Sequence, residues 1–493
     1  MINKTELYID GAWTPSSGTT AIEVISPASE EIYARVPDGT DDDFDAAITA
    51  ARVAFDHGPW RWMAPAERAA VLEKAAARLD ARMPELASQI SSEMGCPIAL
   101  APGLQVWFPV ALLRYYASLA RRYQWEERRQ DSTGSSLVLH EPVGVVLAII
   151  PWNFPLAIAM QKVAPALAAG CSVVLKPAPE APLSGYAMAE AFEQAGLPPG
   201  VFNMVPSGRE SGEYAVRHPG IDKVSFTGST AAGRRVGAIC GEQIKRCSLE
   251  LGGKSAAIVL DDADPEEVAA SLMSYGLRNS GQVCSALSRI LVPERRRKEL
   301  ADAIVTAVEG LTVGDPASPL TVVGPVVTSR QRDRVENYIE TGRRHGAALL
   351  TGGGRPKGLD RGWYVEPTVF GAVTPDMAIA REEIFGPVLS VLSYWTEDEA
   401  VRIANDSDYG LFGGVWTGDP ERGLSVARRV RSGTYTVNGS TQCMSAPFGG
   451  RKLSGLGREL GPEGLAEFVE LKSVAVPTDF RRASDLGDRK SVV

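Results

Sequence analysis

Residues 145–155 read Val-Val-Leu-Ala-Ile-Ile-Pro-Trp-Asn-Phe-Pro. The six apolar residues at its start, Val145–Ile150, predict a strand that is buried on both faces, and the prolines indicate that a tight loop follows. A membrane-spanning helix is a poor alternative, because Pro151 and Pro155 interrupt the roughly 20 residues needed to cross a bilayer. The stretch therefore predicts one strand of a parallel sheet and the corner at its end.

The alternation of strand and helix continues along the chain. Further strands are predicted at Ser172–Leu175, Val201–Val205, Val224–Phe226 and Cys247–Leu251, with helices at Leu156–Ala169, Leu183–Ala195, Glu210–His218 and Thr230–Cys240. Repeated β-α units of this length predict a doubly wound parallel sheet, which binds ligands at the carboxyl ends of its strands. A second α/β region begins near Ser255, with helices predicted at Pro265–Asn279, Glu294–Leu311, Arg330–His345 and Glu397–Asn405, and strands at Ile290–Val292, Val388–Tyr394 and Gly413–Trp416.

The flanking segments have other patterns. Before the first sheet, helices are predicted at Asp41–Asp56 and from Ala64 to about Gly95, and the alternating stretch Leu137–His140 suggests a hairpin arm. The polar last residues, from about 480 to 493, are predicted to form a loose tail.

Composition limits the classes of function. A chain of 493 residues suggests two or three domains. A net charge of −9 opposes binding to nucleic acid or an anionic membrane. The N-terminus lacks the apolar segment of a signal peptide. Six cysteines without a CxxC pair, and only four histidines, predict no metal site and fit free thiols in the cytoplasm.

Three strand ends carry polar groups that allow two interpretations each. The Asn153 amide could donate to an oxyanion, although a turn asparagine that bonds local backbone would look the same. Lys176 could reach a ribose or a phosphate, or it could be solvated. The stretch from Phe226 to Gly233 suits a dinucleotide phosphate at a helix N-terminus, yet an ordinary strand-turn-helix connection is similar.

Two further residues suggest a catalytic pair. Glu250 lies between two leucines, and apolar surroundings would raise its pKa toward that of a general base unless the side chain turns outward. Cys284 has small and polar neighbours, which suit an exposed thiol that acts as a nucleophile. A buried cysteine is the usual alternative, and it fits Cys171 and Cys240.

Together these motifs resemble those of the aldehyde dehydrogenase superfamily, in its hydrolytic, non-acylating branch. The resemblance extends from about Tyr8 to Val476. The matching stretches are 151–155, 176–177, 228–233, 250–254, Gly281-Gln282 before Cys284, 382–387 and 447–450, continued by Lys452, Ser454-Gly455 and Gly457-Arg458-Glu459.

The resemblance implies an α/β fold with two doubly wound, Rossmann-like domains and a small β oligomerisation arm. Residues 1–124 and 142–252 would form the dinucleotide-binding domain, and residues 253–455 the catalytic domain. Residues 125–141 and 456–493 would form the arm and the C-terminal segment. Such an arm implies a homodimer or a homotetramer.

The resemblance also implies the function, oxidation of an aldehyde to a carboxylic acid with a nicotinamide dinucleotide. Cys284 would attack the aldehyde, Asn153 and the Cys284 backbone N–H would hold the oxyanion, Glu250 would activate water, and Lys162 would support the site. The implied cofactor-binding residues are Lys176, Trp152, Gly228, Ser229, Gly233, Leu251, Glu383 and Phe385. The implied substrate tunnel consists of Phe154, Gln161, Val283, Ser285, Cys443 and Met444, which suits a mid-sized, uncharged aldehyde.

Two positions depart from the family pattern. Many NAD-preferring members carry a glutamate where this chain has Pro179, and Glu180 is one place late, so NAD is expected while NADP stays open. Gln161 replaces a large aromatic residue, which would widen the tunnel or make it more polar. Two other functions compete, a coenzyme A-acylating enzyme and a catalytically silent binding or structural protein. Glu250 argues against the first, and the presence of both Cys284 and Asn153 argues against the second.

Overall fold

A computed structural model describes residues 1–480 of the chain. The strands are β1 (Ile2–Asn3), β2 (Glu6–Ile9), β3 (Ala12–Pro15), β4 (Ala21–Ile25), β5 (Ile32–Pro37), β6 (Glu126–Gln130), β7 (Ser135–Pro142), β8 (Val145–Ile149), β9 (Ser172–Lys176), β10 (Phe202–Met204), β11 (Lys223–Thr227), β12 (Arg246–Glu250), β13 (Ala256–Val259), β14 (Arg289–Pro293), β15 (Ala348–Thr351), β16 (Thr368–Gly371), β17 (Val388–Tyr394), β18 (Gly413–Trp416), β19 (Thr436–Val437), β20 (Gly455–Leu456) and β21 (Val469–Val476). The helices are α1 (Asp41–Asp56), α2 (Pro65–Ala81), α3 (Met83–Met94), α4 (Phe108–Arg122), α5 (Pro155–Ala169), α6 (Leu183–Ala195), α7 (Arg209–Arg217), α8 (Thr230–Glu242), α9 (Pro265–Gly276), α10 (Arg297–Glu309), α11 (Ser329–Arg344), α12 (Ala378–Arg381), α13 (Glu397–Asn405), α14 (Pro420–Arg429) and α15 (Gly461–Ala466).

The first large sheet has the strand order β20-β12-β11-β8-β9-β10-β2-β3. Its five central strands, β12 to β10 in that order, run parallel to one another, and the outer strands β20 and β2 pair with them antiparallel. Their register pairs Ile149 with Lys176 and with Phe226, and Thr227 with Glu250. The carboxyl ends of four strands therefore meet at one edge, and the predicted doubly wound sheet is confirmed.

Helix α5 packs on one face of this sheet and lies inside the core. Its residues are buried on every side except for Gln161. A helix that is apolar all round belongs in the core. The helix begins at Pro155, a residue well suited to the first turn, and ends at Gly170 in the left-handed conformation (φ 102°).

The second large sheet has the order β15-β16-β17-β14-β13-β18-β19, and all of its pairings are parallel except β15 with β16. Two small sheets complete the fold, β1-β5-β4 near the N-terminus and β21-β7-β6, the predicted arm. The C-terminal part of the chain returns to the first sheet, where Gly455 of β20 pairs with Glu250. The second α/β region expected from the sequence is confirmed.

The structure corrects two predicted helices. The helix predicted from Ala64 to Gly95 is two helices, because Pro84 cannot supply a backbone N–H and the chain leaves the helical path at Arg82 (φ −104°, ψ 13°). The helix predicted at Pro265–Asn279 ends at Gly276. Beyond it Asn279 adopts a left-handed conformation (φ 53°), which a continuous helix does not allow.

The predicted tail from 481 to 493 lies outside the described residues. Among residues 1–480, no helix is both long enough and apolar enough to cross a membrane.

Candidate active site

The loop that carries Cys284 follows α9 and is tightly constrained. Asn279 and Ser280 are buried and left-handed (φ 53° and 57°). A Cβ atom at Gly281 would lie 2.2 Å from the carbonyl oxygen of Gly386, and one at Gly253 would lie 2.5 Å from the carbonyl oxygen of Cys284. The Cys284 loop therefore packs against both the segment after Glu383 and the loop after Glu250.

Asn153 is held against this loop. Its side chain is 2% exposed, and Nδ2 donates to the backbone carbonyl of Gln282 at 2.9 Å. Its own backbone carbonyl accepts from Gln105 Nε2 and from Asn279 Nδ2, each at 3.0 Å. One N–H of the Asn153 amide is used in this way, which leaves the other for a ligand beside Cys284.

Glu250 is a buried carboxyl group at the end of β12. It is 4% exposed, and neither of its oxygens accepts a hydrogen bond from the described residues. Burial raises its pKa well above the usual value, and the nearby Glu459 carboxylate raises it further. The Lys162 ammonium, which forms a buried ion pair with Glu459, acts in the opposite direction. The raised pKa of Glu250 agrees with the prediction from its leucine neighbours. The alternative, a Glu250 side chain that turns outward to solvent, does not occur.

Cys284 differs from the exposed thiol that its small neighbours suggested. It is only partly exposed, and burial raises the pKa of the thiol to about 12. The carboxylates of Glu383, Glu250 and Glu459 add to this rise. The thiol is therefore protonated at neutral pH in the absence of a bound partner, and it needs a base to become a nucleophile.

Lys176 lies at the carboxyl end of β9 and is not solvated. Its side chain is 7% exposed, and the single acceptor of Nζ among the described residues is the carbonyl of Pro177 at 3.5 Å. Burial lowers its pKa to about 8, while Glu180 and Asp38 act in the opposite direction. A buried ammonium with so weak a contact suits a ligand with hydroxyl acceptors, such as a ribose.

The turn between β11 and α8 has the geometry of an anion site. Ser229 is the N-cap of α8, and its hydroxyl accepts from the backbone N–H of Ala232 at 3.3 Å. A Cβ atom at Gly228 would lie 2.6 Å from the Phe226 ring, and one at Gly233 would lie 2.3 Å from Leu251 Cδ2. A Cβ atom at either position would displace these side chains, and the N-terminus of α8 that follows suits a phosphate.

A third set of residues lies between the two large sheets. Glu383 accepts from the backbone N–H of Gly253 at 3.0 Å, and burial raises its pKa to about 7. Phe385 is left-handed (φ 61°), and its ring meets the Trp152 ring edge-to-face at 5.5 Å. Together with Lys176 and the α8 turn, these groups fit a dinucleotide that has two riboses and a pyrophosphate.

The expected tunnel residues differ in their surroundings. Val283 is buried, Phe154 and Met444 are half-buried and pack against the first core, and Ser285 is half-buried. Cys443 is exposed, and its sulfur accepts from the Ser445 hydroxyl at 3.4 Å. Gln161 is the one residue of α5 that is not buried. That these six residues line one tunnel stays a prediction.

Two site residues were missed from the sequence. Gln105 lies far from every motif, and nothing in its neighbourhood signals a role. Asn279 was placed at the end of a helix, so its contact with Asn153 was not foreseen. Among residues 1–480, no group of three or more His, Cys, Asp and Glu side chains could hold a metal ion.

The fold and the groups at the carboxyl edge of the first sheet suit a dinucleotide-dependent oxidoreductase. The family model described as "Aldehyde dehydrogenase family" matches residues 13–474. The chain therefore belongs to the aldehyde dehydrogenase family and is an NAD(P)-dependent aldehyde dehydrogenase.

Similar proteins cover nearly the whole chain. It is 48% identical over 474 residues to geranial dehydrogenase of Castellaniella defragrans, a match that spans 96% of this chain and 99% of that protein. It is 44% identical to 3-succinoylsemialdehyde-pyridine dehydrogenase of a Pseudomonas species, over 95% and 98% of the two chains. The crystal structure of a Mycobacterium tuberculosis aldehyde dehydrogenase complexed with NAD+ is 45% identical and superposes with a TM-score of 0.96, over 98% and 100% of the two chains.

Proposed function

We propose that this enzyme oxidises a mid-sized, uncharged aldehyde with NAD+ through a thioester on Cys284, which water then hydrolyses. The observation that carries the proposal is the contact of the Asn153 amide with the Cys284 loop, together with the buried carboxyl group of Glu250, which accepts no hydrogen bond from residues 1–480. The apolar side chains of Phe154, Val283 and Met444 and the similarity to a geranial dehydrogenase support an uncharged substrate.

In the first step, Cys284 Sγ forms a bond to the aldehyde carbon and the carbonyl electrons move to oxygen. The second N–H of Asn153 and the backbone N–H of Cys284 donate to that oxyanion. Because the pKa of the thiol is about 12, its proton must leave as the bond forms. That proton passes to solvent, so Glu250 stays unprotonated for the later step, in which its raised pKa makes the carboxylate a stronger base toward water.

The nicotinamide dinucleotide, when bound, supplies the hydride acceptor. Lys176 and Glu383 would hold its two riboses, and the helix start at Ser229 would hold its pyrophosphate. Leu251, Trp152 and Phe385 would pack against its rings. These residues fix the position of the cofactor relative to Cys284, and the apolar rings keep water away while the thioester forms.

In the last step, Glu250 removes a proton from water, the water oxygen bonds to the thioester carbon, and the carbon–sulfur bond breaks. Glu250 returns that proton to the Cys284 sulfur, so the acid leaves and both the thiol and the carboxylate are restored. Both carboxyl oxygens of Glu250 are free to accept from water, which favours hydrolysis over transfer to coenzyme A. The Lys162 ammonium would stabilise the negative charge on Glu250, and the Glu459 carboxylate would favour the protonated form that follows.

We expect NAD+ to be preferred over NADP+. The carboxylates of Glu180 and Asp38 act on the Lys176 ammonium, so negative charge lies near the expected adenine ribose and opposes a 2′-phosphate. Absorbance assays with a panel of aldehydes would give kcat/KM for each cofactor, with and without coenzyme A. Faster turnover with NADP+ would contradict the preference, consumption of coenzyme A would contradict hydrolysis, and no turnover with any aldehyde would contradict the function.

We expect alkylation of Cys284 by iodoacetamide to accelerate about tenfold per pH unit from neutral to mildly alkaline pH, because only the thiolate reacts and the pKa of this thiol is raised. Cys443 is the internal comparison. The Ser445 hydroxyl lowers the pKa of that exposed thiol, so it should be alkylated at lower pH. Peptide mapping by mass spectrometry would follow both residues. A Cys284 rate that levels off below about pH 8 would show that the thiol is not shielded in this way.

We further propose the domain and assembly assignments. Residues 1–124 and 142–252 would bind the cofactor, residues 253–455 would form the catalytic domain, and residues 125–141 and 456–493 would form the arm and the C-terminal segment. The arm would pair subunits as a homodimer or homotetramer. The edge strand β21 supports pairing, because it exposes Leu471 (63%) and Val474 (37%). Static light scattering tests the assembly.

The six free cysteines suggest a cytoplasmic location, which cell fractionation tests.

A further inference from the structure

A π-helical turn at Pro102–Trp107 precedes α4 directly. Its wider winding is rare, and such turns occur frequently at functional sites. Gln105 lies within this turn and is 0% exposed. A fully buried amide side chain is costly unless it is hydrogen-bonded, so the partners of this side chain show what it does.

The Gln105 amide is directed at the oxyanion residue. Its Nε2 atom donates to the backbone carbonyl of Asn153 at 3.0 Å, although the two residues are 48 positions apart. The Gln105 side chain also lies within hydrogen-bonding reach of the Cys96 sulfur, where it opposes the rise in the thiol pKa that burial causes. Gln105 Oε1 accepts no hydrogen bond from the described residues. The bond to Asn153 is therefore the strong interaction for which this polar group is buried.

The remaining bonds around Asn153 come from the Cys284 loop itself. Asn279 donates to the same Asn153 carbonyl at 3.0 Å, and the Gln282 carbonyl accepts from the Asn153 side chain at 2.9 Å. The Gln282 side chain closes the ring by donating to the Asn279 carbonyl at 3.2 Å. Asn279 and Gln282 belong to the same loop as Cys284, whereas Gln105 belongs to the separate helical segment that precedes α4.

We propose that Gln105 is a positioning residue that fixes the Asn153 peptide and thereby directs the free N–H of the Asn153 amide at the oxyanion. The inference rests on the proposed function. Gln105 and Asn279 both donate to the Asn153 carbonyl, and these two bonds hold the Asn153 peptide in one orientation. The position of the Asn153 Cα atom, from which the side chain extends, is thereby fixed. A donor held in place before the reaction stabilises developing charge better than one that must reorient.

The first test is Gln105→Met, which keeps the length and approximate volume of the side chain but removes the donor. We expect kcat to fall about tenfold, as for one lost hydrogen bond of ordinary strength, while KM changes less than about twofold. An unchanged alkylation rate at Cys284 would show that the pocket is intact. Normal kcat in this variant would overturn the inference.

A double-mutant cycle separates positioning from general stabilisation. Asn153→Ala alone should lower kcat by about 100- to 1000-fold. If Gln105 acts through Asn153, adding Gln105→Met to Asn153→Ala should cause no further loss, whereas independent effects would multiply. Multiplied effects would overturn the inference and leave the proposed function standing. Near-normal turnover of Asn153→Ala would instead contradict the proposed function.

Gln105→Glu provides a second readout if Gln105→Met folds poorly. A carboxylate cannot donate to the Asn153 carbonyl, but a protonated carboxyl group can. The ratio of variant to wild-type kcat should therefore rise as pH falls. A ratio that does not depend on pH would contradict the positioning role.

Discussion

Cys284→Ala is expected to abolish aldehyde oxidation, with kcat/KM lower by more than about 10⁴-fold. The variant cannot form the carbon–sulfur bond on which the later steps depend. The side chain is small and only partly exposed, so its loss should leave the fold intact. Cofactor reduction would be followed by absorbance under saturating aldehyde, and cofactor binding would be measured separately by fluorescence titration.

Cys171→Ala is the matched control for this experiment. Burial raises the pKa of the Cys171 thiol to about 12, as it does for Cys284, but Cys171 lies in the core of the first sheet. We expect the kcat/KM of Cys171→Ala to stay within about twofold of wild type. Loss of a sulfur atom from the core lowers the free energy of unfolding but does not remove a group from the site. Equal losses in the two variants would argue against a special role for Cys284, and near-normal turnover of Cys284→Ala would refute the mechanism.

Glu250→Gln is expected to stop the reaction at the thioester. The amide has nearly the same shape as the carboxyl group but cannot take a proton from water, so steady-state kcat should fall at least about 100-fold. The first turnover should still release about one equivalent of reduced cofactor per site. Rapid-mixing absorbance would detect this burst, and intact-protein mass spectrometry would detect the acyl group on Cys284.

Glu93→Gln provides the control for removal of a buried carboxyl group. Burial raises the pKa of Glu93 to about 8, yet its oxygen accepts from the backbone N–H of Leu183 at 2.8 Å, away from the site. This variant should show normal steady-state turnover. If Glu250→Gln shows neither a burst nor faster turnover with added hydroxylamine, which attacks thioesters, Glu250 would not be the base for hydrolysis.

The sequence predicted the sheets well because their strands are apolar runs bounded by glycine and proline. Val145–Ile150 and the β-α units after it correspond to observed elements within a residue or two. The errors occurred where a local signal was weak. A single proline at position 84 divides a segment whose composition favours a helix throughout. Asn279 is left-handed after α9, at a position where no glycine stands to indicate a left-handed residue.

The site was predictable in its motifs but not in its environment. Composition suggested an exposed Cys284, yet its burial depends on loops that contain Gly253 and Gly386, far away in the sequence. Gln105 could not be predicted at all, because its role depends on an unusual helical turn and on one contact with Asn153. Long-range packing of this kind leaves no periodic signal in a single sequence.

The antiparallel pairing of Gly455 with Glu250 has a consequence for biosynthesis. The strand that ends at Glu250 receives its outer neighbour only after some two hundred further residues have been made. Glu459, which forms the buried ion pair with Lys162, emerges from the ribosome at the same late stage. The nascent polypeptide can thus assemble the core of its first large sheet early, but the surroundings of Glu250 are complete only when synthesis is almost finished.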